Sequence, residues 1–399
     1  MQCRDIAIAG CGIGGLCAGA LLARDGHSVT IYERFVEARP LGSGLLLQPT
    51  GMAVLDRLGL ARTAFHRGAR IDRLRGENAA GECVLDARYD DMARLVFGIG
   101  IHRADLFALL HDAAVAHGVA ILPGHEVVAG EARGAGRVLL FADGRASAPH
   151  DLIVDSLGVA SPLVRATTHW LPYGALWTDV DLPAGGAFAA NLLEQRYDRA
   201  SRMIGVLPTA KSRAALFWSL RADAFEGWRL AGLDRWKEEV VRLWPAAEAL
   251  VAQIDRPERL TFARYAHRTL GDPCGAKQVH IGDAWHAASP QLGQGANMAM
   301  LDAWALAQAL REAGSIEEGL ASFRQARRGH VRIYQALTAL VTPLYQSDSI
   351  LAAVLRDIFF APLSRIGPGP RLQAALVGGM AGGPLRKLGL ELPDYDKLQ

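Results

Sequence analysis

The chain has 399 residues, 50% of them hydrophobic and 21% charged, which suits one large domain or two sharing a core and excludes a disordered chain. Its 43 basic and 41 acidic side chains leave a formal net charge of +2, so nothing marks it as a binder of nucleic acid or another polyanion. The five cysteines, Cys3, Cys11, Cys17, Cys83 and Cys274, are odd in number and lack CxxC or zinc-finger spacing; they read as reduced, small apolar side chains of a cytoplasmic protein without a metal site.

Residues 6–23 are almost wholly apolar and follow Arg4, the pattern of a signal-peptide core or a marginal membrane span. The glycine spacing inside the stretch argues for a soluble nucleotide-binding unit instead. Asp5 to Ala9 suits a buried parallel strand, and Gly10, Gly12 and Gly15 then satisfy GxGxxG, with Ile13 and Gly14 between them. A helical pattern runs to Asp25-Gly26, and a second strand, Ser28 to Tyr32, ends at Glu33. The first glycine permits a tight turn, the second lets backbone approach a pyrophosphate, and the third lets helix pack on strand. Helix N-terminal amides favour phosphate, and the Glu33 carboxylate accepts hydrogen bonds from a ribose hydroxyl. An acid there suits NAD or FAD equally.

Gly42 and Gly44 precede a helix from Gly51 to about Leu58 and imply backbone passing close to something flat or bulky. Residues 74–95 alternate in the manner of strands. Ile101 to Asp105 opens a helix to about His117, with Arg103 near an N-terminus where the helix dipole disfavours a cation unless an anion lies nearby. Residues 167–266 are again strand-like and rich in Trp, Phe and Tyr, with helical sequence from Asp223 to Leu250 broken near Pro245; they predict a mostly antiparallel sheet. Among them Trp218, Arg264, Tyr265 and His267 are candidates to face a substrate. No carboxylate or histidine stands out as a general base, so the substrate need not be deprotonated.

A strand at Val279 to Ile281 leads through Gly282-Asp283 and Pro290 to Gly293-Gln294-Gly295-Ala296-Asn297 and a helix from Met298 to Leu310. Asp283 offers a carboxylate to sugar-like hydroxyls. The two loop glycines let amides reach a planar ligand, and the following helix directs its positive end toward that ligand. After Ala313 the sequence is helical, and its small, apolar tail either covers the core, joins a second copy as a homodimer, or touches a membrane surface, with the first two favoured.

Gly282-Asp283-Ala284, His286, Pro290, Gly293-Gln294-Gly295 and Asp302-Ala303, together with the N-terminal motif and Arg103-x-x-Leu106, resemble the FAD-dependent monooxygenases related to para-hydroxybenzoate hydroxylase, the group A flavoprotein aromatic hydroxylases, over most of residues 1–312. The resemblance implies an α/β fold: a Rossmann-like FAD-binding domain at 1–72, 97–166 and 268–330, an inserted, mostly antiparallel β-sheet substrate domain at 73–96 and 167–267, and a C-terminal helical region at 331–399. It implies that Gly12, Ile13, Gly14, Glu33, Arg34 and Arg103 hold the ADP half of FAD, that Val127 contacts adenine through its backbone, and that Gly10, Gly15 and Gly44 also line the cofactor. Asp283 would then take the ribityl chain or pyrophosphate, and Pro290 and Gly293 to Asn297 the flavin ring. The implied reaction is NAD(P)H- and O2-dependent hydroxylation of an apolar, aromatic or polyene small molecule through a C4a-hydroperoxyflavin.

The chain departs from that family where an Asp-Gly pair is usual, since Leu157 precedes Gly158 and Asp155 stands earlier. Leucine accepts no hydrogen bond, which leaves NAD(P)H recognition open and allows a separate flavin reductase. Other flavin reactions on the same fold (reduction, oxidase chemistry, halogenation) also stay open, the last disfavoured because Trp-x-Trp-x-Ile-Pro is absent. A non-enzymatic flavin or lipid binder at a membrane is the rival from another class. A nicotinamide-only dehydrogenase would leave Gly282-Asp283 without a task.

Overall fold

The computed structural model describes residues 3–37, 43–183, 185–363 and 366–398. The run Asp5–Ala9 becomes an inner strand of a six-stranded sheet, parallel to Ser28–Tyr32 on one side and Leu152–Asp155 on the other. Across the sheet the order is Cys274–Gly275, Gln278–His280, Leu152–Asp155, Asp5–Ala9, Ser28–Tyr32 and Ala120–Leu122. Every pairing is parallel except the short hairpin at the Cys274 edge. Ile6, Ala7, Ile8 and Ala9 are all wholly buried, as expected of a parallel strand covered on both faces.

This topology decides where ligands can bind. The carboxyl ends of four adjacent parallel strands lead into the Gly10 turn, Glu33, the Ser156–Gly158 turn and the Gly282 turn. In an open α/β sheet the crevice outside those ends is the binding place. Helix Ile13–Arg24 starts from the first of these turns and packs on helix Gly295–Glu312, which follows the Gly282 turn after Asp283–His286 and a short turn at Pro290.

The second layer is a seven-stranded sheet in the order Thr261–His267, His169–Asp181, Arg213–Arg221, Arg202–Ala210, Leu192–Asp198, Arg73–Asn78 and Cys83–Arg88. It is antiparallel as anticipated, apart from the parallel pair Leu192–Asp198 with Arg73–Asn78, where two distant parts of the chain meet. One face, with Leu176, Ile204, Leu216 and Trp218, packs against an outer helix through Trp236 and Val240. The other, with Met203, Leu207, Ala215 and Phe217, joins the main core.

A three-stranded sheet, Gly44–Leu47, Gly98–His102 and Ala69–Ile71, fills the space between. Here the structure corrects the sequence reading. Ile101 and His102 belong to a strand, and the helix begins at Arg103 with the His102 ring accepting from the Ala104 N–H at 3.2 Å. The strand crosses so near its neighbour that a Cβ on Gly100 would lie 1.9 Å from the Pro208 carbonyl oxygen.

Helix Ile316–Tyr345 opens with a Ser315/Glu318 capping box and carries the chain back across the molecule. The tail then covers the core, with Tyr395 edge-on to Phe97 at 4.6 Å and the Trp304 indole donating to the Leu388 carbonyl. Among the described residues no helix is long and apolar enough to cross a membrane.

Replacing Gly100 by Ala forces the new methyl against backbone that has nowhere to move, and should lower unfolding stability by about 1–3 kcal/mol. Gly227→Ala, in helix Phe225–Ala231 with open space around it, should instead stabilise by about 0.5–1 kcal/mol. Urea denaturation midpoints of the two variants should move in opposite directions.

Candidate active site

The N-terminal turn has the division of labour that its spacing predicts. Gly10 has φ +100°, and a Cβ there would fall 2.7 Å from the Ser156 carbonyl oxygen; on Gly15 it would fall 2.1 Å from that of Gly10. Gly12 has no atom within 4 Å of its Cβ direction and is exposed. It begins helix Ile13–Arg24, which has no side-chain cap. Amides at an uncapped, open helix start are suited to an anion. Glu33 lies beside this turn, its carboxylate accepting from the Cys11 N–H at 2.9 Å and the Phe35 N–H at 3.1 Å. Arg34 is exposed and lies over the Phe35 ring. Val127 is buried with Tyr32 in a small cluster, two residues past His125, whose N–H donates to the Glu33 carbonyl.

The late turn meets the early one. A Cβ on Gly14 would touch Ser156 Oγ at 3.1 Å and Ala299 Cβ at 3.3 Å, and one on Gly282 would also reach Ala299 Cβ, at 3.1 Å. Ala299, on helix Gly295–Glu312, is therefore wedged between two glycine turns more than 260 residues apart in sequence. Arg103 and Asp283 face the same cleft: solvent reaches both side chains, while protein encloses most of their surroundings. That enclosure pushes the Asp283 carboxyl above its usual range, against the pull of His286 and Arg103. It likewise pulls the Arg103 guanidinium below its ordinary value, with Asp283 opposing. Asp283 is thus one anion that relieves the cation at this helix start.

Gly293 is left-handed at φ +61°, following the exposed Pro290 in a short turn. A Cβ on Gly295 would lie 3.9 Å from Asp283 Oδ1, so the helix begins beside that carboxylate. Half-buried Ala296 follows. Two side chains in this loop act as fasteners. Asn297 accepts from the Gln48 N–H at 2.9 Å and donates to the carbonyls of Leu46 and Gly293, while Gln294 donates to the Val377 carbonyl.

Three features escaped the sequence reading. Gln48 is wholly buried and accepts from the Tyr89 hydroxyl at 2.6 Å, and its amide nitrogen has no partner among the described residues. That nitrogen lies 3.5 Å from the Cβ position of Gly293, so a spare donor points toward the loop. A polar residue closing the run Leu45-Leu46-Leu47 was the available signal. Next, Asp302 is fully buried and accepts from the Gly282 N–H, the His286 ring and the Arg327 guanidinium at 2.7–2.9 Å. Burial would raise its pKa, but His286 and Arg327 overcome this and hold it at about 2. Arg327 can only donate, so His330 Nδ1 accepts from it and Nε2 donates to the Gly379 carbonyl. Burial, and then Arg327, lower the His330 pKa to about 3 and keep the ring neutral. Third, Ser43 and His102 both bond to Asp179. With its other nitrogen capping the Arg103 helix, His102 has no free base position.

Several residues sit elsewhere than the sequence suggested. Gly44 lacks a Cβ because Thr209 and Ala215 would meet it at 2.6 and 2.7 Å, so the bulky neighbour is protein; Gly42 falls outside the described residues. Trp218 points into the outer helical layer, because alternation along its strand turns it away from the cleft side. Arg264 is exposed and stacks on Trp170 at 5.3 Å. Tyr265 remains: its hydroxyl accepts from Trp177, which stacks on Phe217 at 4.6 Å, and burial pushes its pKa up. Asp155 is fully buried and accepts from the Leu157 N–H, the Ser161 hydroxyl and His280, so no carboxylate projects from that turn. Burial raises the Cys11 and Cys17 thiols to about 12, in keeping with an apolar role.

A family model described as FAD binding domain matches residues 4–334. The chain is 28% identical over 345 residues to 6-hydroxynicotinate 3-monooxygenase of Pseudomonas fluorescens, covering 80% of this chain and 86% of the relative. Its fold is that of 2-methyl-3-hydroxypyridine-5-carboxylic acid oxygenase (TM-score 0.80, 22% identity, 97% of this chain and 98% of the other). HpxO of Klebsiella pneumoniae, solved with FAD and uric acid, superposes with TM-score 0.81 at 19% identity, over 96% of this chain and 98% of its own.

Asp302→Ala strands the buried Arg327 guanidinium and the Gly282 N–H, at an expected cost of about 3–5 kcal/mol. Because Asp302 has a lower pKa folded than unfolded, its contribution is full at neutral pH, falls once the pH drops below about 4, and is gone below about 2. Chemical denaturation of the wild type and Asp302→Asn should therefore show a stability gap at pH 7 that narrows at pH 3.

Proposed function

The chain belongs to the FAD binding domain family, and from that footing we propose that this FAD-dependent oxidoreductase hydroxylates a small, apolar aromatic compound, using NAD(P)H and O2. The observation that carries the reading is Ala299 between the two glycine turns, which joins them at the crevice outside the ends of the parallel strands. A cleft of that kind suits an elongated dinucleotide.

Bound FAD supplies the redox chemistry, accepting electrons from the reductant and activating O2 for transfer of one oxygen atom. The protein's part is to bind, orient and keep dry. The open amides from Gly12 to Gly15 take the pyrophosphate, and Glu33 accepts from the ribose. Arg34, Arg103 and Val127 complete the ADP half, Asp283 holds the sugar-alcohol chain, and Pro290 with Gly293 to Asn297 flanks the ring. The start of helix Gly295–Glu312 would offer partial positive charge to a reduced ring held there, and Gln48 would add a donor that has no partner among the described residues. Trp177, Phe217 and Tyr265 on the inner sheet face form an apolar, aromatic wall. The sequence marks no carboxylate or histidine as a general base, so a ring that is already electron-rich is the favoured substrate.

The purified protein should absorb near about 450 nm, as flavoproteins do, and oxidise NAD(P)H faster when the right aromatic compound is added. Label from 18O2 should appear in the product. Flavin that is reduced but never passes oxygen to any compound in a panel of aromatic acids, pyridines and quinolones would refute the proposal. Glu33→Ala should weaken FAD binding about 10–100-fold, as loss of a charged hydrogen-bond acceptor of about 1.5–3 kcal/mol implies, measured by flavin fluorescence titration.

Leu157 favours a second reading of the reductive step, because it leaves this turn without a carboxylate for the nicotinamide donor. In that reading a separate reductase delivers the electrons. Stopped-flow mixing with NADH and with NADPH separates the two: direct reduction of bound flavin within a turnover supports the first, and its absence the second.

A further inference from the structure

Two amides at the first turn of helix Arg103–Ala116 find their acceptors outside the helix. The Arg103 N–H donates to the Ser43 carbonyl at 2.9 Å, and the Ala104 N–H donates to His102 Nδ1 at 3.2 Å. A helix start leaves such amides without intrahelical partners, so these two bonds fix where the first turn lies. They also fix where Arg103 projects, and its side chain faces the cofactor cleft with Asp283.

The two residues that supply these acceptors share one further partner. Ser43 Oγ donates to Asp179 Oδ1 at 2.5 Å, and His102 Nε2 lies 2.9 Å from Asp179 Oδ2. Ser43 and His102 come from adjacent strands of the three-stranded sheet, whereas Asp179 comes from strand His169–Asp181 of the seven-stranded one. On that strand Leu176 and Val180 turn to the outer helical layer, so alternation sends Asp179 to the inner face with Trp177. Its cross-strand partner, Ala215, is the residue against which Gly44 packs, and this crossing of the sheets brings the carboxylate to Ser43.

Imidazole chemistry gives the contact a direction. Nδ1 accepts a backbone N–H and therefore carries a lone pair; the ring hydrogen is then on Nε2 and is donated to the carboxylate. An ionised carboxylate can only accept, so Asp179 selects the tautomer and the ring orientation that cap the helix. Without it the ring is free to turn, or to carry its hydrogen on Nδ1, where it would meet the Ala104 N–H donor to donor.

We infer that Asp179 is a positioning residue for FAD: from the seven-stranded sheet it sets His102, which caps the helix start and aims Arg103 at the cofactor. This role rests on the proposed contact between Arg103 and the cofactor.

For the test, the holoenzyme of each variant is diluted and FAD release at equilibrium is read from flavin fluorescence. Arg103→Ala should weaken binding about 10–100-fold, as loss of a charged donor implies. Asp179→Ala should weaken it roughly 3–30-fold, the worth of a helix cap. Two variants at His102 then decide how Asp179 acts. Asn caps a helix with its own side-chain oxygen but is too short to bridge to Asp179, whereas Gln can extend a donor to Asp179 but is not a capping residue. His102→Asn should therefore stay within about threefold of the wild type, and His102→Gln should lose as much as Asp179→Ala. His102→Asn added to Asp179→Ala should recover the loss. A contact that merely ties two sheets together predicts the opposite order, Gln tolerated and Asn not, with no recovery in the double variant; either result overturns the inference. Asp179→Ala that holds FAD like the wild type, while Arg103→Ala does not, overturns it as well and leaves the cofactor contact of Arg103 standing. Arg103→Ala without effect removes that contact and the role of Asp179 with it. The single variants at His102 keep Asp179 in place, so their contrast decides the matter even if Asp179→Ala does not fold.

Discussion

The closeness of helix Ile13–Arg24 to helix Gly295–Glu312 is the constraint on which the site depends. Only a hydrogen at Gly14 and at Gly282 lets Ala299 sit between them, within about a methyl group's contact of each. A Cβ at either glycine would meet the Ala299 methyl at 3.3 or 3.1 Å and press the turn and the helix apart. The fold then secures this approach with a fully buried carboxylate. Asp302, one turn along from Ala299, holds the Gly282 N–H and so prevents the late turn from drifting away from its own helix.

Asp302 remains ionised in that dry place because its charge is divided among three donors, including Arg327 from the next helix. The chain of contacts continues through His330 to the Gly379 carbonyl. On the other side of the cleft, Gln294 donates to Val377, two residues earlier in the same tail segment. The tail thus does more than cover apolar surface. It is bonded directly to the loop that flanks the cleft and indirectly to the turn that closes it.

How much of this was legible depended on the range of the interaction. The glycine turns, Glu33, Asp283 and the strand–turn–helix units are local patterns whose geometry follows from residue type and spacing, and the α/β fold with its inserted sheet came from the family resemblance that those motifs carry. The direction of strand side chains was not, because a single register decides whether Trp218 or Phe217 faces the cleft, and register is set by pairing with strands far away in sequence. The reason for Gly44 was hidden for the same cause: its neighbours Thr209 and Ala215 are brought to it by the crossing of two sheets. The Asp302 network joins residues from 282 to 379, with only the spacing of Asp302 from Gly282 visible beforehand. At its helix start Arg103 needs an anion, a phosphate for example, and the structure has the Asp283 carboxylate beside it.

The strand order also bears on how the protein is made. Asp5–Ala9 leaves the ribosome first, yet its neighbour Leu152–Asp155 emerges much later, and Gln278–His280, which extends that side, later still. The parallel pair of Arg73–Asn78 with Leu192–Asp198 imposes a comparable wait on the other sheet. Until those partners arrive, an apolar strand and a glycine-rich turn are synthesised without the surfaces that will bury them. Long-range parallel pairing of this kind folds slowly and leaves sticky edges uncovered in the interval. Nascent chains truncated before the second turn would therefore be clients for chaperones rather than small autonomous domains, and expression yield would depend on the pace of translation through the middle of the message.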